Sequence, residues 1–156
     1  MIFNNKTVII TGGSEGVGAA TARMFAEAGA NLMLVARNKK NLDTLAEELR
    51  GKTRVEVFAM DVSDAEACVD VFKKAAFEFG RVDILVNNAG ILRDKSFVKM
   101  SMHDFQLVVD VHLMGSANCT KAVWEIMRAQ GYGRIVMTTS SSGMYGNFGQ
   151  ANYGAA

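Results

Sequence analysis

The feature that most constrains this chain is the turn Thr11-Gly12-Gly13-Ser14-Glu15-Gly16-Val17-Gly18, which joins two segments of different periodicity. Before it, Lys6-Thr7-Val8-Ile9-Ile10-Thr11 is a short β-branched, apolar run of the kind that forms a buried strand in a parallel sheet. After it, Ala19 to Ala28 is alanine-rich, with Ala20, Met24, Phe25 and Ala28 at helical spacing and Gly29 placed to end the helix. A strand therefore enters a helix through a turn with four glycines in seven positions. Such a backbone bends sharply and approaches a bound group closely. The helix start offers unpaired N–H groups and a positive dipole end to an anion, normally a phosphate. No Gly-Lys-Ser/Thr follows, which excludes an ATP- or GTP-binding P-loop, and the spacing does not fit G-x-G-x-x-G. A glycine-rich turn that only packs helix on strand is the competing reading.

The rest of the chain repeats the alternation. Asn31 to Ala36 is a second apolar strand, followed by a polar helix with Leu42, Leu45, Ala46 and Leu49 on one face, stopping at Gly51. Arg54 to Met60 is a third strand, ending in Asp61. Ser63 with Glu66 predicts a capping box, opening a helix with Val69, Phe72, Ala76 and Phe79 inward and Gly80 closing it. Asp83 to Asn87 is a fourth strand, running into Asn88-Ala89-Gly90. Strict strand–helix alternation argues for βαβ units with right-handed crossovers. The expected fold is α/β, a doubly wound, Rossmann-like parallel sheet, with residues 1–156 as one domain.

Ligands of such sheets lie at the carboxyl ends of the strands. The residues there are Thr11 to Gly18, Ala36-Arg37, Asp61-Val62 and Asn87 to Gly90, distant in sequence but converging on one crevice. A site for NAD places a carboxylate about 20 residues beyond the glycine turn, against the adenosine ribose. Here that zone reads Val35-Ala36-Arg37-Asn38-Lys39-Lys40, and the first acid is Asp43. The planar fork of Arg37 suits a 2′-phosphate and stacks on adenine, which favours NADP(H), with NAD(H) as the other option. The bland alternative makes Arg37 a solvated charge at a helix start.

Ser101 with Asp104 predicts another helix start. Phe105, Val108, Val109, His112, Leu113, Ser116 and Val123 follow at helical spacing as far as about Gln130. His112 falls on the apolar stripe, where a histidine usually serves packing. Gly133 to Thr139 is a fifth strand. It delivers Ser140-Ser141-Ser142 to the same edge, and a loop leads to Tyr153 at the start of a helix. The fifth strand would be an unpaired, apolar edge, and that helix has no closing signal. The expectation is an N-terminal portion of a longer domain, truncated after its fifth strand.

Composition removes other classes. Net charge is +1, and no basic cluster exceeds Arg37-Asn38-Lys39-Lys40, so no nucleic-acid surface is expected. Cys68 and Cys119 fall within predicted helices at no metal or redox spacing, so no metal site is expected. The thiols read as inert and buried in a reducing, cytoplasmic compartment. The chain enters its first strand almost at once, without a signal peptide, and no apolar run approaches a membrane span.

Four motifs together resemble the short-chain dehydrogenase/reductase family: Thr11-Gly-x-x-x-Gly-x-Gly18, Asp61, Asn87-Asn-Ala-Gly90, and Ser140 thirteen positions before Tyr153. The resemblance covers the whole chain. It implies that Gly12, Ser14, Glu15, Gly16, Val17 and Gly18 hold a pyrophosphate, that Asp61 and Val62 meet adenine, and that Asn88, Ala89, Gly90 and Tyr153 line the nicotinamide side. It implies hydride transfer between a nicotinamide dinucleotide and a carbonyl or secondary alcohol, with Tyr153 as acid or base and Ser140 on the substrate oxygen. His112 stands where the family commonly has asparagine, and through a ring nitrogen it could hold a water of the proton relay. The (3R)-hydroxyacyl-CoA dehydrogenase and 3-oxoacyl-(acyl-carrier-protein) reductase branches are most similar, which points to an acyl thioester substrate. A homodimer or homotetramer with the His112 helix at the interface is also implied. The family's Tyr-x-x-x-Lys places its lysine immediately after Ala156, and an unperturbed phenol, titrating near ~10, needs such a cation to work near neutrality. Alternatives are a non-catalytic dinucleotide-binding or scaffold protein of the same fold, or a fragment inactive for want of that lysine.

Overall fold

The computed structural model describes residues 2–156. Five parallel strands form one sheet in the order β3-β2-β1-β4-β5: β1 is Thr7–Thr11, β2 Asn31–Ala36, β3 Val55–Ala59, β4 Ile84–Asn87 and β5 Arg134–Met137. The chain steps outward from β1 to β3, then returns to the other side of β1. The reversal falls between β1 and β4, where two adjacent strand ends diverge into opposite crossovers and open a crevice.

Every residue of β1 is buried, because helices cover both faces of the sheet. Alternation along the strand sends Val8 and Ile10 to one side, where they pack with helices α1 (Gly16–Glu27) and α2 (Lys39–Leu49). Ile9 goes to the other side, against α3 (Ala65–Phe79) and α5 (Gly115–Gln130). The predicted leucine face of α2 is buried throughout, from Leu42 to Leu49. Gly80 closes α3 in the left-handed conformation, φ +73°.

Two expectations about α3 are corrected. Its N-cap is Asp64, whose side chain accepts from the Ala67 amide, not Ser63. Ser63 is engaged one step earlier: its amide and hydroxyl both donate to the Asp61 carboxylate, which holds it outside the helix. The fully buried stripe is accordingly Cys68, Val71, Phe72 and Ala75, while Val69, Ala76 and Phe79 lie at its partly exposed margin.

The long helix predicted from Ser101 is also not uniform. After α4 (Met102–Val109), capped by Ser101 Oγ accepting from the Asp104 amide, one π-turn spans Asp110–Met114 before α5 begins. The inserted residue resets the inward stripe to Val108, Val111, Gly115, Cys119, Val123 and Met127. His112 and Ser116 are left half-buried beside it and Leu113 exposed. Such π-turns collect at functional positions. β5 pairs only with β4 among the described residues, and Val136 and Met137 on it are about half exposed, as expected of an open edge.

Candidate active site

The glycine turn is shaped by close approach. Gly12 has φ +63°, and a Cβ on it would lie 2.9 Å from the side-chain Nδ2 of Asn88 and from the Ala89 Cα. A Cβ on Gly18 would run into the Gly12 carbonyl. Side chains at either position would therefore push the turn off β4. Thr11, 1 % exposed, completes the joint: its Oγ1 accepts from the amides of Asn88 (3.0 Å) and Ala89 (3.1 Å). Asn88 Nδ2 returns to the Thr11 carbonyl at 3.2 Å. The ends of β1 and β4 are thus clamped across the switch point.

A hollow of about 500 Å3 opens above this joint. Gly12, Ser14, Glu15 and Val17 line it after β1, Arg37 after β2, Asp61 and Val62 after β3, and Asn88, Ala89 and Gly90 after β4. Gly16 (φ +55°) and Gly18 shape the turn without lining the hollow. Helix α1 starts here with Glu15 at its N-cap position, extended and without a side-chain cap, and no acid occupies the first turn. The helix end is left for an external anion, the donor set that a pyrophosphate requires, and the clearance kept at Gly12 and Gly18 agrees. A dinucleotide phosphate therefore fits these residues. Arg37 is exposed at the rim and makes no ion pair among the described residues, while the first acid beyond it, Asp43, is held by Lys39 at 2.7 Å.

A second hollow of about 830 Å3 shares the segment from Asn88 to Ile91 as a common wall with the first. His112, Ser140 and Tyr153 all line it, although 41 residues separate the first from the last. Ser140 is the N-cap of α6 (Ser141–Tyr145), where its Oγ accepts from the Ser142 amide, so its own proton is left to point elsewhere. Tyr153 lies in α7 (Ala151–Ala155), half-buried, with its ring edge-on to the His112 ring at a centroid distance of 5.1 Å. His112 Nε2 sits 2.9 Å from both the amide nitrogen and the carbonyl oxygen of Ile91; the tautomer decides which bond forms. A Cβ on Gly90 would stand 2.5 Å from His112 Cε1, so only glycine lets the imidazole keep this position. The π-turn thus delivers the imidazole to the wall between the hollows rather than to the core.

Several residues that build the site escaped the sequence reading. Asn152 is completely buried, and its Nδ2 donates to the Arg93 carbonyl at 3.1 Å, seating the helix that carries Tyr153. Gln150 joins Ser142 Oγ to the Asp94 carboxylate, pinning the preceding loop. Asn118 Nδ2 donates to the Val62 carbonyl at 3.1 Å and steadies the Asp61-Val62 segment that lines the smaller hollow. Asn38, Met60, Ile91 and Val111 also line that hollow, beside Ala36, which the strand-end reading had included. Their amide side chains were visible in the sequence, but nothing in a local window names their partners.

A family model described as short chain dehydrogenase matches residues 6–156. Peroxisomal multifunctional enzyme type 2 of Mus musculus is 43% identical over 163 residues, covering 99% of this chain and 22% of its own. The 3-oxoacyl-(acyl-carrier-protein) reductase FabG of Thermotoga maritima is 40% identical, covering 100% of this chain and 64% of its own. The crystal structure of an NAD+-bound xylitol dehydrogenase superposes with a TM-score of 0.96 at 32% identity, covering 99% of this chain and 60% of that one. The chain thus spans less than two thirds of the length of each of these relatives.

Proposed function

This chain belongs to the short-chain dehydrogenase family, and from that membership we propose that residues 1–156 are the N-terminal part of the dinucleotide-binding domain of an oxidoreductase. It would interconvert a carbonyl and a secondary alcohol. The observation that carries the reading is the shared wall from Asn88 to Ile91: phosphate-accepting turn on one side, Ser140 and Tyr153 on the other. A nicotinamide dinucleotide supplies or accepts the hydride when bound. Tyr153 then gives a proton to the carbonyl oxygen in reduction, or takes one from the alcohol in oxidation. Ser140, whose oxygen already accepts from Ser142, turns its O–H to the same substrate oxygen and stabilises the charge that develops there. His112 holds the Ile91 backbone and the edge of the Tyr153 ring together, so that the proton donor and the wall move as one. In the family the cation that tunes the phenol is the lysine following the segment Tyr153–Ala156, so turnover is proposed for the protein that carries this chain.

The substrate class we favour is a 3-oxoacyl or 3-hydroxyacyl thioester. The names of the FabG relative and of an acetoacetyl-CoA reductase of Shinella zoogloeoides, 40% identical, support it. Leu92, Leu113 and Met137 give the second hollow an apolar side suited to an acyl chain. Arg37 at the rim favours NADP(H), whereas the xylitol dehydrogenase neighbour is an NAD+ complex. Exposed Leu113, Met114 and Trp124 on the His112 helix favour a homodimer or homotetramer. Two free thiols favour the cytoplasm, and the second reading, a peroxisomal setting, is favoured by the mouse relative's name.

Replacing Tyr153 by phenylalanine is expected to abolish turnover of 3-oxoacyl thioesters while NADPH still binds; unchanged turnover removes Tyr153 as proton donor. Arg37→Asp is expected to weaken NADPH binding at least about tenfold more than NADH binding, as one charge-assisted phosphate contact implies. Equal loss of both overturns the 2′-phosphate assignment.

A further inference from the structure

Cys68 and Cys119 take no part in the chemistry above, and 51 residues separate them. The fold brings them together. Cys68 on α3 and Cys119 on α5 are both fully buried where these helices pack, with their sulfurs 3.8 Å apart. Sγ of Cys68 also lies 3.5 Å from the Val62 carbonyl, so the thiols form a short chain: Cys119 S–H to Cys68, Cys68 S–H to Val62.

Val62 lines the smaller hollow. It has no slack on the other side. A Cβ on Gly115, in the first turn of α5, would lie 2.6 Å from Val62 Cγ2. The carbonyl of Val62 is held by two donors, Cys68 and Asn118. The thiol pair is thus built into the wall of the hollow.

We propose that Cys68 and Cys119 are an intramolecular dithiol–disulfide couple, oxidised by a peroxide, and that the disulfide weakens nucleotide binding by disturbing Val62. The binding half of this proposal rests on reading the smaller hollow as the nucleotide site. The chemistry balances. The Cys68 thiolate attacks one peroxide oxygen, breaking the O–O bond and giving a sulfenic acid and, with hydrogen peroxide, water. Cys119 sulfur then attacks the sulfenic sulfur and expels a second water, its proton leaving with the departing hydroxide. Two thiols are oxidised by two electrons and one peroxide is reduced.

Cys68 is the attacking sulfur because the hydrogen bond from Cys119 favours its thiolate, bringing it below the usual thiol range despite burial. The same bond, with burial, pushes the Cys119 thiol up. To reach a disulfide length near 2.05 Å the sulfurs close by roughly 1.8 Å. That motion takes the Cys68 donor from Val62 and draws α3 toward α5, where Gly115 and Val62 already touch. Both thiols are buried, so oxidation requires a local opening between the two helices, and the peroxide must be small.

The test uses the protein that carries this chain, purified reduced, treated with hydrogen peroxide and mapped by peptide mass spectrometry. A Cys68–Cys119 cross-link reversed by dithiothreitol is expected, with the NADPH dissociation constant rising about tenfold in the oxidised form and recovering on reduction. Cys68→Ser and Cys119→Ala are expected to show neither cross-link nor peroxide-induced loss of affinity; if either folds poorly, the other serves. Two thiols that survive peroxide, or go to sulfinic acid without a cross-link, overturn the couple. A cross-link with unchanged NADPH affinity overturns its link to the hollow. Failure of the reduced protein to bind either NADPH or NADH refutes the nucleotide reading and with it the binding half, while the cross-link still decides the couple.

Discussion

Thr11→Val tests whether the joint between β1 and β4 is held by the threonine hydroxyl rather than by apolar packing alone. Valine has nearly the same shape, so no cavity opens. What disappears is an oxygen that accepts from the Asn88 and Ala89 amides at 3.0 and 3.1 Å and donates to the Val86 carbonyl at 3.4 Å. The last bond is near the limit of useful geometry and contributes little. Each partly buried amide left without an acceptor costs about 1–2 kcal/mol, so the pair costs about 2–4 kcal/mol. In urea, with a slope of about 2 kcal/mol per molar, the unfolding midpoint falls by about 1–2 M. Thr11→Ser keeps the hydroxyl and removes one buried methyl, at about 1 kcal/mol. Urea unfolding followed by far-UV circular dichroism compares the two variants, and NADPH titration follows the shared wall. A valine variant no less stable than the serine variant refutes the reasoning, since packing would then account for the joint.

At the opposite end of the sheet, Asp83 is completely buried and binds Lys6, Arg81 and the Thr7 amide. Burial pushes its carboxyl up, but the hydrogen bonds from Arg81, the Thr7 amide and Lys6 outweigh it and hold the group below the usual carboxylate range. A depressed folded value contributes stability at pH above the unfolded value, about 3.9, and loses it as pH falls through the lower folded value. Asp83→Asn is expected to cost about 3 kcal/mol at pH 7 and to flatten the acid limb of stability below about pH 4, where the unfolded carboxyl takes up its proton before the folded one. Unfolding at a series of pH values checks this, and an unchanged limb counts against it. Gly90→Ala puts a methyl 2.5 Å from His112 Cε1. It is expected to lower kcat at least about tenfold with secondary structure intact, through displacement of a residue that positions the proton donor; unaltered kcat contradicts the assigned role of the wall.

The alternation of strand and helix was legible because each element carries its own periodicity. The leucine face of α2, the Ser101 cap and Gly80 at the end of α3 all lay where local chemistry placed them. Local chemistry misled where two neighbours were equally able to act. Ser63 and Asp64 are both good caps, and the contest was settled by Asp61, which occupies Ser63 from outside the helix. The π-turn at Asp110–Met114 was not legible either, since residues 101–130 follow one helical period and a single inserted residue changes only which side chains face inward.

By itself the sequence determined that a glycine turn stands between strand and helix, and that four strands end in the segments that line one crevice. Those are properties of short windows, fixed by the absence of Cβ atoms and by apolar periodicity. Only the tertiary structure decided which distant groups meet: His112 edge-on to Tyr153, Asn152 of the Tyr153 helix on the Arg93 carbonyl, Cys68 against Cys119 behind Val62. Such contacts depend on the register and crossing of packed elements, where a shift of one residue exchanges one neighbour for another, and no window of sequence contains both partners.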